Sequence, residues 1–125
     1  MSNHLNASQD SPIDYCEVLE RIGGDELFLQ ELLKIYFQEF SAKRTLLQEA
    51  IAQGNFTLIQ ELGHSLKGAS ANLSLASLKK ACFSLEIAGQ EKKIEQAQNA
   101  LRALETEFQR LKDYLHDSPL KKQMA

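Results

Sequence analysis

Between Ile94 and Leu115 the apolar residues Ile94, Ala97, Leu101, Leu104, Phe108, Leu111 and Leu115 recur at alternating spacings of three and four. That is the period of one face of an α-helix, and a strand cannot present it to one side. A face of this shape needs an apolar partner, so the question passes to the rest of the chain. The two prolines, Pro12 and Pro119, leave about a hundred residues between them without a strong helix breaker. Nowhere in that interval do apolar and polar residues alternate with period two for long enough to suggest a sheet.

The stop and start signals divide the interval into helices. Ser11 is expected as an N-cap with Pro12 at the first helical position and Asp14 near the positive end of the dipole. This short helix runs through about Arg21 and stops at Gly23-Gly24. Asp25 caps a long second helix that ends near Gly54, with Leu29, Leu33, Tyr36, Phe40, Leu47 and Ile51 at helical spacing. Leu32 and Phe37 broaden that stripe, which predicts contact with more than one neighbour. Asn55 caps a third helix. The stretch Ser74 to Ser77 breaks the pattern, with Ser77 predicted to cap a fourth helix ending at Gly89. The fifth helix should end before Ser118-Pro119.

The predicted fold is all-α: an up-and-down antiparallel four-helix bundle with a short additional N-terminal helix. The fifth helix alone has heptad character, but the Gly, Asn and Ser interruptions argue against an extended coiled coil. The bundle is expected over residues 12–117. The tails, 1–11 and 118–125, offer little to pack and are expected to be mobile.

Composition removes several classes of function. A net charge of −3 over 125 residues gives no phosphate-neutralising surplus, so no nucleic-acid partner is expected. No stretch approaches the ~20 apolar residues of a membrane span, and the first residues lack a signal-peptide core, so the expected location is cytoplasmic. Cys16 and Cys82 have no CxxC or metal-ligand spacing and are expected as buried reduced thiols. His4, His64 and His116 lie far apart without paired-ligand spacing, so no metal is expected.

Within the third helix, at about 100° per residue, Ile59, Leu62, Leu66, Ala69 and Leu73 form the apolar stripe and His64 lies about 170° from its centre. Gln60, Lys67, Gly68 and Ala71 fall on the same outer half. Gly63, near the edge of the stripe, is expected to permit close helix packing. Lys67 at i+3 and Gly68 at i+4 are surface neighbours of His64. A mid-helix glycine costs about 1 kcal/mol against alanine, so its place here calls for a reason. An imidazole above a glycine and an alanine is open to another macromolecule's surface, and a nearby ammonium can neutralise an arriving anion. Imidazole can be a nucleophile near neutral pH, and phosphoryl is the anionic group that suits it.

The order of these residues, GHSLKGASANL followed by LKKACFSLE, resembles the signature of the histidine-containing phosphotransfer (HPt) domain. His64, Leu66, Lys67, Gly68, Ser70 and Leu73 match its first part in register, and Cys82, Leu85 and Glu86 match the second. Upstream, IGGDELFLQELLKIYFQEF is similar to the long helix that precedes the motif in the family. The resemblance extends over about residues 13 to 116. It implies that His64 is the phosphoacceptor, Lys67 its phosphoryl-stabilising neighbour, and Gln60, Gly68 and Ala71 the approach surface for a receiver domain. Ser74 departs from the pattern, where typical members have a glycine.

The resemblance also implies a phosphoryl carrier, not an autonomous enzyme. It would relay the group between receiver-domain aspartates in a two-component phosphorelay, with no cofactor of its own and Mg²⁺ on the partner receiver. Expected partners are response-regulator receiver domains and a hybrid histidine kinase, met by a monomer. A kinase dimerisation helix is disfavoured because Ser65 follows His64 and no proline is near. The alternative of another class is a helical protein-interaction module without phosphoryl chemistry.

Overall fold

The computed structural model of the protein describes residues 11–116. Among these residues five helices follow one another: α1 (Tyr15–Arg21), α2 (Glu26–Gln53), α3 (Phe56–Asn72), α4 (Ala76–Gln90) and α5 (Ile94–His116). The described residues contain no strand. Each long helix packs on the next in the chain, and α2 also meets α5.

The connection from α2 to α3 shows how local chemistry sets the path. Asp25 starts α2 by accepting a hydrogen bond from the Phe28 amide at 3.0 Å. Gly54, at φ 68°, ends it in the left-handed conformation that costs glycine nothing. Asn55 then caps α3 by accepting from the Leu58 amide at 3.1 Å. Two residues therefore turn the chain from one helix into the next.

The expected stripes form the core, except that Ile94, at the first turn of α5, is exposed. Leu29, Leu33, Tyr36, Phe40, Leu47 and Ile51 of α2 are buried, as are Ala97, Leu101, Leu104, Leu111 and Leu115 of α5. Full burial of one such leucine contributes about 1.5–3 kcal/mol. Phe108 is partly exposed yet stacks on Phe40 with ring centroids 3.7 Å apart. Phe37 meets Phe108 edge-on, and Leu32 is partly buried against the core, so both broaden the α2 stripe as expected. The large apolar residues of α2 that remain exposed are Leu27, Phe28, Ile35 and Leu46.

Four local expectations need correction. Asp14, not Ser11, caps α1: its carboxylate accepts from the Glu17 amide, which leaves Pro12 and Ile13 outside the helix. Ile13 is buried, so core packing sets the start of α1 beyond the proline. At α4 the N-cap is Leu75, with no side-chain cap, and Ser77 falls inside the helix. Burial of Leu75 offsets the missing cap. Gly89 does not end α4 either. The helix runs one residue further, to Gln90; Gly89 is its buried last-but-one residue, and the left-handed residue beyond the helix is Lys92 at φ 58°. Cys16, finally, is exposed, whereas Cys82 is buried and its thiol is pushed up to about 12 by that burial. The expected tails, apart from Ser11, and the helix stop before Ser118-Pro119 lie outside the described residues.

Helix α1 closes the corner where α3 gives way to α4. The Asp14 amide donates to the Ser74 carbonyl, and Arg21 donates to the carbonyls of Ala71 and Asn72 at 3.0 and 2.7 Å. A cation on the last carbonyls of α3 also complements its dipole. Ser74 takes the left-handed turn at φ 58° while buried, and its hydroxyl has no protein partner. Ser74→Gly removes both the backbone strain and the unpaired hydroxyl, against a smaller entropy cost in the unfolded chain. It should stabilise the protein by about 1 kcal/mol. Urea denaturation measures this, and a lowered midpoint would show that the turn carries no strain.

Candidate functional site

His64 stands on the outer face of α3 with its side chain 70% exposed. Its surroundings come from two helices. Nδ1 lies 3.0 Å from Glu86 Oε2 on α4. The second oxygen of the same carboxylate, Oε1, is 2.7 Å from the Lys67 ammonium. Glu86 thus bridges the imidazole and the lysine, and it is itself only 16% exposed. A carboxylate accepts hydrogen bonds and does not donate them, so this contact places a proton on Nδ1. In the neutral ring the lone pair then falls on Nε2.

This short reach exists because two glycines let α3 and α4 approach backbone to backbone. A Cβ on Gly63 would sit 2.8 Å from the Glu86 amide nitrogen and 3.0 Å from the Cys82 carbonyl. On Gly89 it would sit 2.6 Å from the Gln60 nitrogen and 2.8 Å from the Phe56 carbonyl. Gly63 therefore has the close-packing role expected of it. Gly68 is different in kind: nothing lies within 4 Å of the position its Cβ would take. The space over this turn of α3 is open.

The charges are balanced before any partner arrives. Lys67 was expected as an exposed ammonium, but its side chain is 26% exposed, paired with Glu86 and placed 5.1 Å above the Phe83 ring. The sequence pattern missed that the close approach of α4 puts a carboxylate within its reach. The hydrogen bond from Lys67, and after it the one from His64, hold the Glu86 carboxyl below its usual range against the opposing effect of burial. A depressed carboxylate contributes stability above its unfolded value, and that contribution is lost as pH falls through the folded value.

The other expected residues take distinct places. Gln60, one turn before His64, is half-buried with its backbone against Gly89. Ala71 is half-buried beside α1, whose Arg21 bonds its carbonyl. Lys43 of α2, unremarked in the sequence, reaches across to Ser65 Oγ at 2.5 Å and Glu39 at 2.6 Å, beside the histidine's helix. His116 lies at the end of α5, and His4 lies outside the described residues. Among the described residues no cluster of His, Cys, Asp and Glu could hold a metal ion, and no helix is long and apolar enough to cross a membrane.

The model of the Hpt domain family matches residues 31–114, about two thirds of the chain. The chain belongs to the Hpt domain family. Hpt domains are phosphocarrier modules of two-component phosphorelays, where they meet receiver domains and kinases. The match includes all of α3 and α4, so His64, Lys67 and Glu86 of this Hpt domain lie inside it. No curated protein and no solved structure gives a significant match.

Proposed function

We propose that this Hpt domain relays a phosphoryl group between receiver-domain aspartates, with His64 as the phosphoacceptor. The observation that carries the reading is an exposed imidazole whose Nδ1 is engaged by Glu86 beside the open surface of Gly68. In the transfer, the Nε2 lone pair attacks the phosphorus of a receiver's acyl phosphate. The P–O bond breaks, and the receiver's carboxylate leaves with the electron pair. Such in-line transfer needs positioning and charge neutralisation more than acid–base chemistry. Lys67 supplies a nearby cation, and the receiver supplies Mg²⁺ and the rest of the machinery.

The working unit is a monomeric, cytoplasmic, up-and-down antiparallel four-helix bundle over residues 12–117, with α1 as its additional helix. A response-regulator receiver, or the receiver of a hybrid histidine kinase, docks on the outer face of α3 through Gln60, Gly68 and Ala71. Part of α2 joins that surface. Its exposed Phe28, Ile35 and Leu46 support this, because apolar area left in water on one flank of a helix favours a partner there.

Incubation of the full chain with a phosphorylated receiver tests the reading. The chain should acquire an acid-labile, alkali-stable phosphate, and no label from any receiver of the source organism would leave a plain interaction module. A further expectation concerns the open glycine. Gly68→Gln should raise stability by up to about 1 kcal/mol, since most residues exceed glycine in a solvated helix. It should nonetheless slow labelling, because the new side chain would occupy the space the receiver needs. Faster labelling together with a higher melting temperature would remove the clearance role.

A further inference from the structure

Lys43 occupies a place on α2 where packing alone has no use for a lysine. It continues the inward spacing of Tyr36, Phe40 and Leu47, which are buried, and its own side chain is only 22% exposed. A lysine so placed lays its stem along apolar surface and sends its charge outward. Here the ammonium emerges on α3 next to His64, 2.5 Å from Ser65 Oγ and 2.6 Å from Glu39 Oε2. We infer that Lys43 is a second phosphoryl-stabilising cation, acting on the transferred group from the α2 side of His64. This rests on His64 being the phosphoacceptor and adds to its site a charge that α3 itself does not carry.

The helix geometry puts that charge on the open flank. Counted round α3, Ser65 lies about 100° from His64 and Gly68 about 40° in the same direction, whereas Lys67 lies about 60° the other way, toward Glu86. The clear space over Gly68 therefore falls on the side that Lys43 reaches. Consecutive Cα atoms are about 3.8 Å apart, so the contact with Ser65 Oγ keeps the ammonium within about 9 Å of the His64 Cα.

The two lysines differ in what they leave behind when they turn to a new anion. Lys67 would strand the Glu86 carboxylate, which is 16% exposed and has little water to replace the ammonium. Lys43 would leave the Glu39 carboxylate, 39% exposed, and an exposed serine hydroxyl, and both rehydrate readily. In the transfer the Nε2 lone pair forms the N–P bond as the P–O bond breaks, and the receiver's carboxylate keeps that electron pair. The three peripheral oxygens stay anionic throughout, so a cation on this flank lowers the energy of the step measured from the free reactants. At roughly 9 Å a unit charge changes such a rate by about twofold in water and about twentyfold at an effective dielectric near 20. The 70% exposure of His64 puts the effect in the lower part of that range.

The test is the second-order rate of His64 labelling in the full chain, with two donors. One is a phosphorylated receiver with Mg²⁺, and the other is phosphoramidate, a small phosphoryl donor that brings no protein surface. Lys43→Met keeps the stem and removes the charge, so the rate should fall about three- to tenfold with both donors. The urea midpoint should not fall, because methionine suits the inward position. Added salt should narrow the difference in rate by screening, Lys43→Arg should restore most of it, and Glu39→Gln should raise the rate above wild type. An unchanged rate in Lys43→Met overturns the inference. A loss confined to the receiver overturns it too, since Lys43 would then be a docking contact. So does a loss that tracks a lowered urea midpoint and is not repaired by arginine, which would make the residue structural. Glu39→Gln decides the matter if Lys43→Met does not fold, and an unchanged or lower rate there overturns the inference. Wild-type protein that takes no label on His64 from either donor overturns the phosphoacceptor reading itself, a failure distinct from a labelled protein indifferent to Lys43.

Discussion

His64→Gln should abolish labelling by a phosphorylated receiver while leaving the helical fold in place. The imidazole is mostly in water, so its replacement opens no cavity, and Lys67 still neutralises Glu86. The stability change should stay within about 0.5 kcal/mol, the usual range for surface positions. Glutamine offers an amide of similar length but no nitrogen lone pair able to attack phosphorus. His4 and His116 remain, yet the sequence gives neither the glycine clearing nor the lysine one turn on that follow His64. The comparison is made by alkaline gel separation, with circular dichroism to confirm helix content. Full labelling of the variant would place the phosphoacceptor elsewhere and remove the central reading. A variant that neither folds nor labels would show that the His64–Glu86 contact carries structure.

The sequence makes the long helices and their inward faces legible because burial repeats its signal every turn. The stripes of α2 and α5 are read from seven or so residues each, so one misjudged position changes little. Caps have no such redundancy. At α1 both Ser11 and Asp14 are credible caps, and the choice falls to the buried Ile13, which periodicity cannot see. At α4 a serine looked like the start, but the hydrophobic burial of Leu75 moves the start to a residue with no capping side chain. The candidate site divides in the same way. His64, Lys67 and Gly68 share one helix, so their spacing gives their relation. The pairing of Lys67 and His64 with Glu86 spans two helices and depends on the depth to which Gly63 and Gly89 let them approach. The Leu85-Glu86 pair in the motif was the one available signal for it.

The sharpest consequence of that approach is a reversal of sign at Gly89. Gly89→Ala in an ordinary helix would stabilise by about 1 kcal/mol, and Gly68→Ala, with open space around it, should do so. At Gly89 the added carbon would meet the Gln60 nitrogen at 2.6 Å, the Phe56 carbonyl at 2.8 Å and the Gln60 Cα at 2.9 Å. All three are backbone atoms of α3, so no side chain can swing aside, and the two helices must part. Overpacking of this kind costs about 1–3 kcal/mol, and the loss should fall at the upper end because the strain is spread along an entire helix pair. Glu86 lies one turn before Gly89 on the same helix, so parting α3 from α4 also draws its carboxylate away from His64 and Lys67. Gly89→Ala should therefore lower the urea midpoint and loosen the tautomer preference of His64 together. Parallel denaturation of Gly68→Ala and Gly89→Ala checks this with one chemical change at two places. Equal stabilisation at both would mean that α3 and α4 do not touch backbone to backbone, and that the reach from Glu86 to the histidine has another cause.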